Sequence, residues 1–183
     1  MSAETRKPKP KKCKVCKEFF SPWISTMRAC SPECALVLVR EEQEKKKRKE
    51  LKQRKEKLKS RSDWLREAQA EFNKFIRLRD KNEPCISCGR FHNGQYHAGH
   101  YRTVGGNPEL RFEELNCHKQ CSVCNNHKSG NIVEYRINLA RKIGEEALAW
   151  LEGPHDPLKL TIDEIKELKA KYKAKCREIE KDD

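Results

Sequence analysis

The sequence predicts a mostly helical α+β protein in which small zinc modules take the place of one large hydrophobic core. Only 36% of its 183 residues are hydrophobic and 38% are charged, which argues against a single large core. Eight of the ten cysteines fall into four close pairs, and long segments without glycine are rich in helix-forming residues. The expected order is an N-terminal zinc knuckle, a long charged helix, a central zinc module and C-terminal helices.

The charge balance favours a polyanionic partner. The chain has 41 Lys and Arg against 28 Asp and Glu, a formal net charge of +13, and nucleic acid is the commonest intracellular polyanion. An anionic membrane is the rival, but the basic segments lack interleaved Trp, Phe and Leu. No apolar run approaches the roughly 20 residues that a bilayer requires, and no signal peptide opens the chain. We therefore expect a soluble, intracellular protein.

The N-terminal region combines a basic tail with a cysteine cluster. Residues 1–12 are rich in Lys and Pro, and we expect them to be disordered. Residues 13–34 hold Cys13, Cys16, Cys30 and Cys34 at the spacing of a four-cysteine zinc knuckle. This segment has too few apolar residues to fold by itself. Bound zinc would therefore supply the free energy of folding that the apolar residues do not. Disulfides are not expected, because the cytosol keeps thiols reduced.

Local signals then predict a helix that begins at the end of the knuckle. Ser31 is suited to the N-cap, Pro32 to the first position and Glu33 to the first turn. Residues 35–62 continue as a basic charged helix with Glu placed four residues before Lys or Arg. This helix is either an arm that contacts the phosphate backbone or a charged linker without specific contacts.

Residues 63–153 are predicted to form the central module with its flanking helices. An amphipathic helix is expected over 63–80 with Asp63 as its cap, and further amphipathic helices over 131–151 with a break near Gly144. They either pack against their own module or form a dimer interface. A capping box at Thr161 and Glu164 begins the last helix, within the C-terminal segment 154–183.

The central module holds a second candidate zinc site and an unusual density of polar groups. Four thiolates make a closed structural site with no open position for chemistry, and they come from Cys85, Cys88, Cys121 and Cys124. We therefore expect two structural zinc ions per chain. The imidazole and amide groups that lie between and after these knuckles exceed what a bare zinc ribbon needs; they are His97, His100, Asn116, His118, Asn125 and His127.

The order of these residues resembles the zinc-bearing HNH (ββα-metal) endonucleases. A Cys-x2-Cys pair is followed by His97-Ala-Gly-His100, by Asn116, and by a second pair directly followed by Asn125. The sequence of this region is similar to that of the NinG (Rap) recombination proteins of lambdoid phages. The similar segments are Ala98-Gly-His-Tyr101, Leu110-Arg-Phe112, Ser129-Gly-Asn131 and Glu134-Tyr-Arg136. The resemblance is strongest over 83–136, and the N-terminal cysteines and charged helix also fit that family's layout.

The resemblance implies a structure-selective, metal-dependent endonuclease that cleaves branched DNA, such as Holliday junctions and D-loops, in phage recombination. It implies His100 as general base, Asn116 as its orienting residue, and His97 with Asn125 as ligands of a catalytic Mg²⁺ or Mn²⁺. HNH sites usually place an acidic residue or His directly before the base, whereas this chain has Gly99 there. Candidate further contacts to DNA or metal are His118, His127, Arg102, Arg111 and Lys128.

The implied setting is the cytoplasm of a bacterial host, with branched or duplex DNA, a second copy of the chain, and phage or host recombination proteins as partners. The alternative is a non-catalytic zinc-ribbon protein that binds DNA as a recombination mediator, and a remoter one is an RNA-binding zinc protein. His92 and His155 are expected to be ordinary loop histidines. Cys117 and Cys176 have no neighbouring cysteine, and neither is assigned a function.

Overall fold

The computed structural model describes residues 9–181 and divides the chain into two compact units, Met1–Lys59 and Ser60–Asp183. Each unit is described by itself. The mostly helical α+β class is confirmed, with two small antiparallel sheets among five α-helices in the described residues. Within those residues, no helix combines the length and the apolar character needed to cross a bilayer.

The first unit begins with a small hairpin. Strand β1, Lys11–Lys12, pairs with β2, Phe19–Phe20, so that Lys11 lies opposite Phe20. The prediction of a disordered tail over 1–12 is therefore wrong for Lys11 and Lys12, while residues 1–8 lie outside the described part. The pairing forms because the knuckle turn closes on itself, with Cys13 N donating to Glu18 O at 2.8 Å.

Helix α1, Pro32–Lys57, starts as its sequence predicts. Ser31 is the N-cap, and its side chain accepts a hydrogen bond from Cys34 N at 3.3 Å, with Pro32 in the first turn. None of its residues is buried. Like the predicted charged helix, α1 is therefore exposed to solvent over most of its length, from Arg40 to Lys55.

The core of the second unit lies mainly between α2, Arg61–Arg79, and α5, Ile162–Ile179. Tyr172 stacks edge-on against Phe72 with ring centroids 4.9 Å apart. Because this packing buries the apolar face of α2, that face is not available as the dimer surface considered from the sequence. The prediction that Asp63 caps α2 is wrong, because the N-cap is Ser60. Asp63 is the third helical residue and completes a capping box with Ser60.

A two-stranded sheet stands beside this helix pair. Strand β3, Tyr96–His100, runs antiparallel to β4, Cys117–Cys121, with Gly99 opposite His118 and His100 opposite Cys117. One face of the hairpin packs against the α2–α5 core through Ala98 and Cys117. The other face is contacted by Tyr135, whose hydroxyl donates to Gly99 O at 2.8 Å.

The chain after β4 is helical. A π-helical turn, Val123–His127, leads to α3, Ile132–Ile143, and α4, Glu145–Glu152. The predicted break is confirmed at Gly144, whose φ of 86° favours glycine. The predicted capping box at Thr161 is confirmed as well, since its side chain accepts from Glu164 N and that carboxylate accepts from Thr161 N.

Candidate functional site

Both predicted cysteine groups are confirmed as clusters. In each, the four sulfur atoms lie within 4.8 Å of one another; the groups are Cys13, Cys16, Cys30 and Cys34, and Cys85, Cys88, Cys121 and Cys124. A tetrahedral zinc with Zn–S bonds of about 2.3 Å requires sulfurs about 3.8 Å apart. The Sγ atoms of Cys16 and Cys30 are 3.4 Å apart, and those of Cys30 and Cys34 are 3.8 Å apart. Both clusters are thus compatible with structural zinc.

Backbone groups support thiolate ligands in both clusters. Cys121 N donates to Cys85 Sγ at 3.3 Å, and Cys124 N donates to Cys121 Sγ at 3.5 Å. In the first cluster, burial raises the pKa of Cys13, but backbone N–H groups outweigh it and lower that pKa to about 6. A preformed thiolate is the state that binds zinc.

His92 has a role that the sequence analysis missed. Its Nε2 lies 3.2 Å from Cys88 Sγ, and its backbone N–H donates to the Tyr96 hydroxyl at 2.6 Å. The imidazole therefore supports a ligand of the central cluster from outside. The sequence signal for this role is that His92 lies four residues after Cys88.

The predicted metal ligand and the predicted base lie on opposite faces of β3. Side chains alternate along a strand, and His97 and His100 are three residues apart. The His100 ring faces α2, with its centroid 6.0 Å from that of Phe72. His97 lies opposite Gln120, and its buried Nε2 has no hydrogen-bond partner within the described chain.

His100 is held by the loop that follows β3, and its burial favours the neutral imidazole. Its Nε2 donates to the Arg111 carbonyl at 3.0 Å, which leaves Nδ1 with the free lone pair, 3.7 Å from Cys117 Sγ. Burial lowers the pKa of His100 and outweighs the hydrogen bond to the Arg111 backbone, which raises that pKa, and the Arg111 charge lowers it further. A neutral imidazole is the form that accepts a proton, although both ring nitrogens have protein neighbours.

Asn116 ties together both ends of the loop after His100. Its Oδ1 accepts from Arg102 N at 2.8 Å, and its Nδ2 donates to the carbonyls of Arg102, at 3.0 Å, and Leu110, at 3.2 Å. The side chain is fully buried. Its three hydrogen bonds all go to backbone atoms, so Asn116 fixes the path of the loop.

The glycine before His100 has a steric explanation. A Cβ at Gly99 would collide with the side chain of Gln120. That amide is itself fixed, because its Nε2 donates to Ser87 Oγ and to the Gly130 carbonyl. The position directly before His100 therefore has no room for a side chain.

Two arginines near His100 lack a counter-charge. Arg61 and Arg111 line a cleft of 160 Å³, and neither has a carboxylate within ion-pair distance among the described residues. Burial lowers the pKa of Arg111, and the positive charge of Arg61 adds to the effect. Two adjacent unpaired guanidinium groups favour the binding of an anion.

A buried polar network around Asp80 was not predicted. Asp80 accepts from Arg79 Nε at 2.7 Å and from Lys119 N at 3.0 Å, and it lies 3.5 Å from His118 Nδ1. Burial raises the pKa of Asp80, but its bonds to His118 and Arg79 outweigh this and hold the pKa well below its usual range. His118 is only 3% exposed, so the structure removes it from the candidate DNA contacts.

The remaining candidates are distributed around the hairpin. His127 and Lys128 are exposed at the end of the π-helical turn, and Asn125 is half-buried, with its Nδ2 donating to Asn126 Oδ1 at 2.7 Å. Arg102 is half-buried, and its Nη2 donates to Asn107 Oδ1 at 3.2 Å. The unassigned thiols Cys117 and Cys176 are both buried in the α2–α5 core.

Comparison with known proteins finds relatives that match almost the whole chain. A family model described as Bacteriophage Lambda NinG protein matches residues 5–182. "Protein ninG" of Escherichia phage 933W is 44% identical over 94% of this chain and 95% of its own. The proteins of the same name from Escherichia phage lambda and Salmonella phage P22 are 43% and 42% identical, over 94% and 92% of this chain and 95% and 93% of their own. No solved structure matches.

Proposed function

Because the chain belongs to the NinG family, we propose that it is a metal-dependent endonuclease that cleaves branched DNA in phage recombination. One observation carries this proposal: a histidine whose burial favours the neutral form ends β3, and Asn116 fixes the loop that follows it, beside a cluster of four cysteines. A binding module has no need of a histidine kept neutral beside a rigid loop. A hydrolytic site does, since its base must be deprotonated and positioned.

In the proposed reaction, His100 takes a proton from the water that attacks the phosphorus. The new P–O bond forms as the bond to the 3′-oxygen breaks, and that oxygen takes a proton from solvent. Nδ1 is the accepting nitrogen, since Nε2 holds its proton against the Arg111 carbonyl. The proposal requires that a water molecule reach Nδ1, which lies 3.7 Å from the buried Cys117 thiol.

The divalent metal of this proposal would be held by His97 and Asn125. The His97 Nε2 is a buried nitrogen without a partner in the described residues, so it is free to bind a metal. Asn125 uses its amide nitrogen in a hydrogen bond, which leaves its carbonyl oxygen as the ligand atom. When bound, the metal stabilises charge on the phosphate. Imidazole coordination and the lack of a carboxylate in this pair favour Mn²⁺ over Mg²⁺.

The basic surface supplies the contacts to DNA. Arg61 and Arg111 line one cleft and form no ion pair with a carboxylate in the described residues, and His127 and Lys128 are exposed after the central knuckle. The net charge of +13 supports binding directed mostly at phosphates. Such contacts position DNA without selecting its sequence.

DNA binding without cleavage is the second candidate function. It is favoured because His97 and His100 lie on opposite faces of β3. It is also favoured because both ring nitrogens of His100 already have protein neighbours. Outside the two cysteine clusters, the described residues contain no further group of three His, Cys, Asp or Glu side chains suited to a metal.

A nicking assay on a four-way junction separates the two candidates. We expect cleavage with Mn²⁺ or Mg²⁺, a loss of about 10²–10⁴ in rate for His100→Ala, and unchanged junction binding. His155→Ala, in the loop before α5, is the matched control and should cut at the wild-type rate. His97→Ala and Asn125→Ala should be partly rescued by more Mn²⁺. Wild-type cleavage by His100→Ala, with zinc content intact, would favour the binding protein.

A further inference from the structure

Trp23, in the N-terminal zinc module, plays no part in the proposed chemistry and is almost fully exposed. It is 90% exposed, its neighbour Ile24 is 60% exposed, and Phe19 in β2 is 70% exposed. The module that carries them is small and stapled by four cysteines. Tryptophan is enriched at recognition surfaces because its large flat ring gives much contact area at little entropic cost.

The loop around Trp23 is fixed rather than free. Trp23 N donates to Met27 Sδ at 3.3 Å, and Met27 N donates to Ile24 O at 3.1 Å. Lys11 Nζ donates to the Ser25 carbonyl, which ties the loop to β1. Pro22, just before the tryptophan, is buried. The indole is therefore presented on an ordered turn beside the small hairpin.

The surroundings of the exposed rings are strongly positive. Residues 9–31 contain one acidic residue, Glu18, and six basic ones, Lys9, Lys11, Lys12, Lys14, Lys17 and Arg28. Lys12 Nζ lies 5.2 Å from the centre of the Phe19 ring. An apolar protein partner would not match such a rim, and an anionic bilayer would meet only isolated apolar residues rather than a helical face. Nucleotides present a flat base and a phosphate together.

We propose that Trp23 is a stacking platform for an unpaired base, so that the N-terminal zinc module binds single-stranded or splayed nucleotides. Bases stack on exposed aromatic rings while neighbouring cations track the backbone, and this mode is tolerant of sequence. The proposal rests on the proposed function only in naming the source of those bases, which is the branch point of the DNA. Trp23 and the basic hairpin would recognise the branch, whereas His100 acts elsewhere on the duplex arms.

The test measures binding by the full-length, zinc-loaded chain without added Mg²⁺ or Mn²⁺, so that no cleavage is needed. The probes are a short oligothymidylate and an abasic oligonucleotide of the same length, which has the same phosphates and no bases. We expect Trp23→Ala to weaken oligothymidylate binding about 5- to 150-fold and to leave abasic binding unchanged. Trp23→Phe should keep most of the affinity. The matched control is Trp150→Ala in α4, whose ring is 50% exposed.

Other outcomes overturn the proposal. An equal loss on the abasic probe would assign Trp23 to backbone contacts or to folding, which the zinc content of the variant checks. Unchanged affinity for oligothymidylate would exclude stacking. A Trp23→Ala variant that binds DNA normally but loses self-association in sedimentation, or loses binding to phosphatidylserine vesicles, would assign the ring to a second copy or to lipid. None of these results depends on His100, so failure of the endonuclease proposal is measured separately.

Discussion

Asn116 is the residue whose removal tests most directly how the loop after His100 is held. Asn116→Ala deletes three buried hydrogen bonds and strands the N–H of Arg102 and the carbonyls of Arg102 and Leu110. A lost bond costs about 1 kcal/mol, and a stranded buried group costs about 1–3 kcal/mol. We therefore expect the free energy of unfolding to fall by about 3–5 kcal/mol, a large part of the usual 5–15 kcal/mol.

Urea unfolding with zinc present measures this loss, and nicking below the unfolding transition measures its effect on the site. Asn116→Asp should be no better than alanine, because a carboxylate would face two carbonyl oxygens at the distances now bridged by Nδ2. Asn107→Ala is the control in the same loop; its side chain accepts only one 3.2 Å bond, so the expected cost is below about 1 kcal/mol. Equal stability of Asn116→Ala and the wild type would refute the assignment of Asn116 as the loop's anchor.

Three further predictions concern pH, zinc and salt. Burial lowers the pKa of His100 below its usual 6.5; the unfolded chain therefore takes up a proton that the folded chain does not, and stability that is complete above pH 6.5 should fall as pH decreases below it. His100→Gln should reduce the slope of the unfolding free energy against pH, measured by urea titrations. An unchanged slope would count against the assignment of this pH dependence to His100. Metal analysis of protein purified without chelator should find two zinc ions per chain, and Cys121→Ser should lose folding and DNA binding together; a zinc content near zero would contradict the clusters. Affinity for junction DNA should decrease with a log–log salt slope of about −0.9 per neutralised phosphate, and affinity independent of salt would exclude phosphate-directed binding.

The features predicted correctly from the sequence are those set by neighbours along the chain. The start of α1 at Ser31 and the capping box at Thr161 depend on side chains within one turn, and each close pair of cysteines depends on a short fixed spacing. The break at Gly144 follows from one residue's conformational freedom. Local rules of this kind need no knowledge of the tertiary fold.

What the sequence could not predict depends on contacts between distant segments. The packing of α5 against α2 joins residues about 100 positions apart, as in the bond from Lys169 Nζ to Glu67 at 2.7 Å. The Asp80 network exists only because the end of α2 meets β4. His97 and His100 lie on opposite faces because both belong to strand β3, and the motif alone does not show that both are in a strand.

The absence of buried residues in α1 has a consequence for its dynamics. Every residue from Arg40 to Lys55 is exposed, so no buried contact must be broken to open its middle; the exposed ion pair of Glu42 with Arg28 lies near its start. Its amides are therefore protected only by the helix itself, and they should exchange hydrogen far faster than those of α2, whose opening requires loss of the core. The segment can melt and re-form while the cysteine cluster before it and the core after it stay intact.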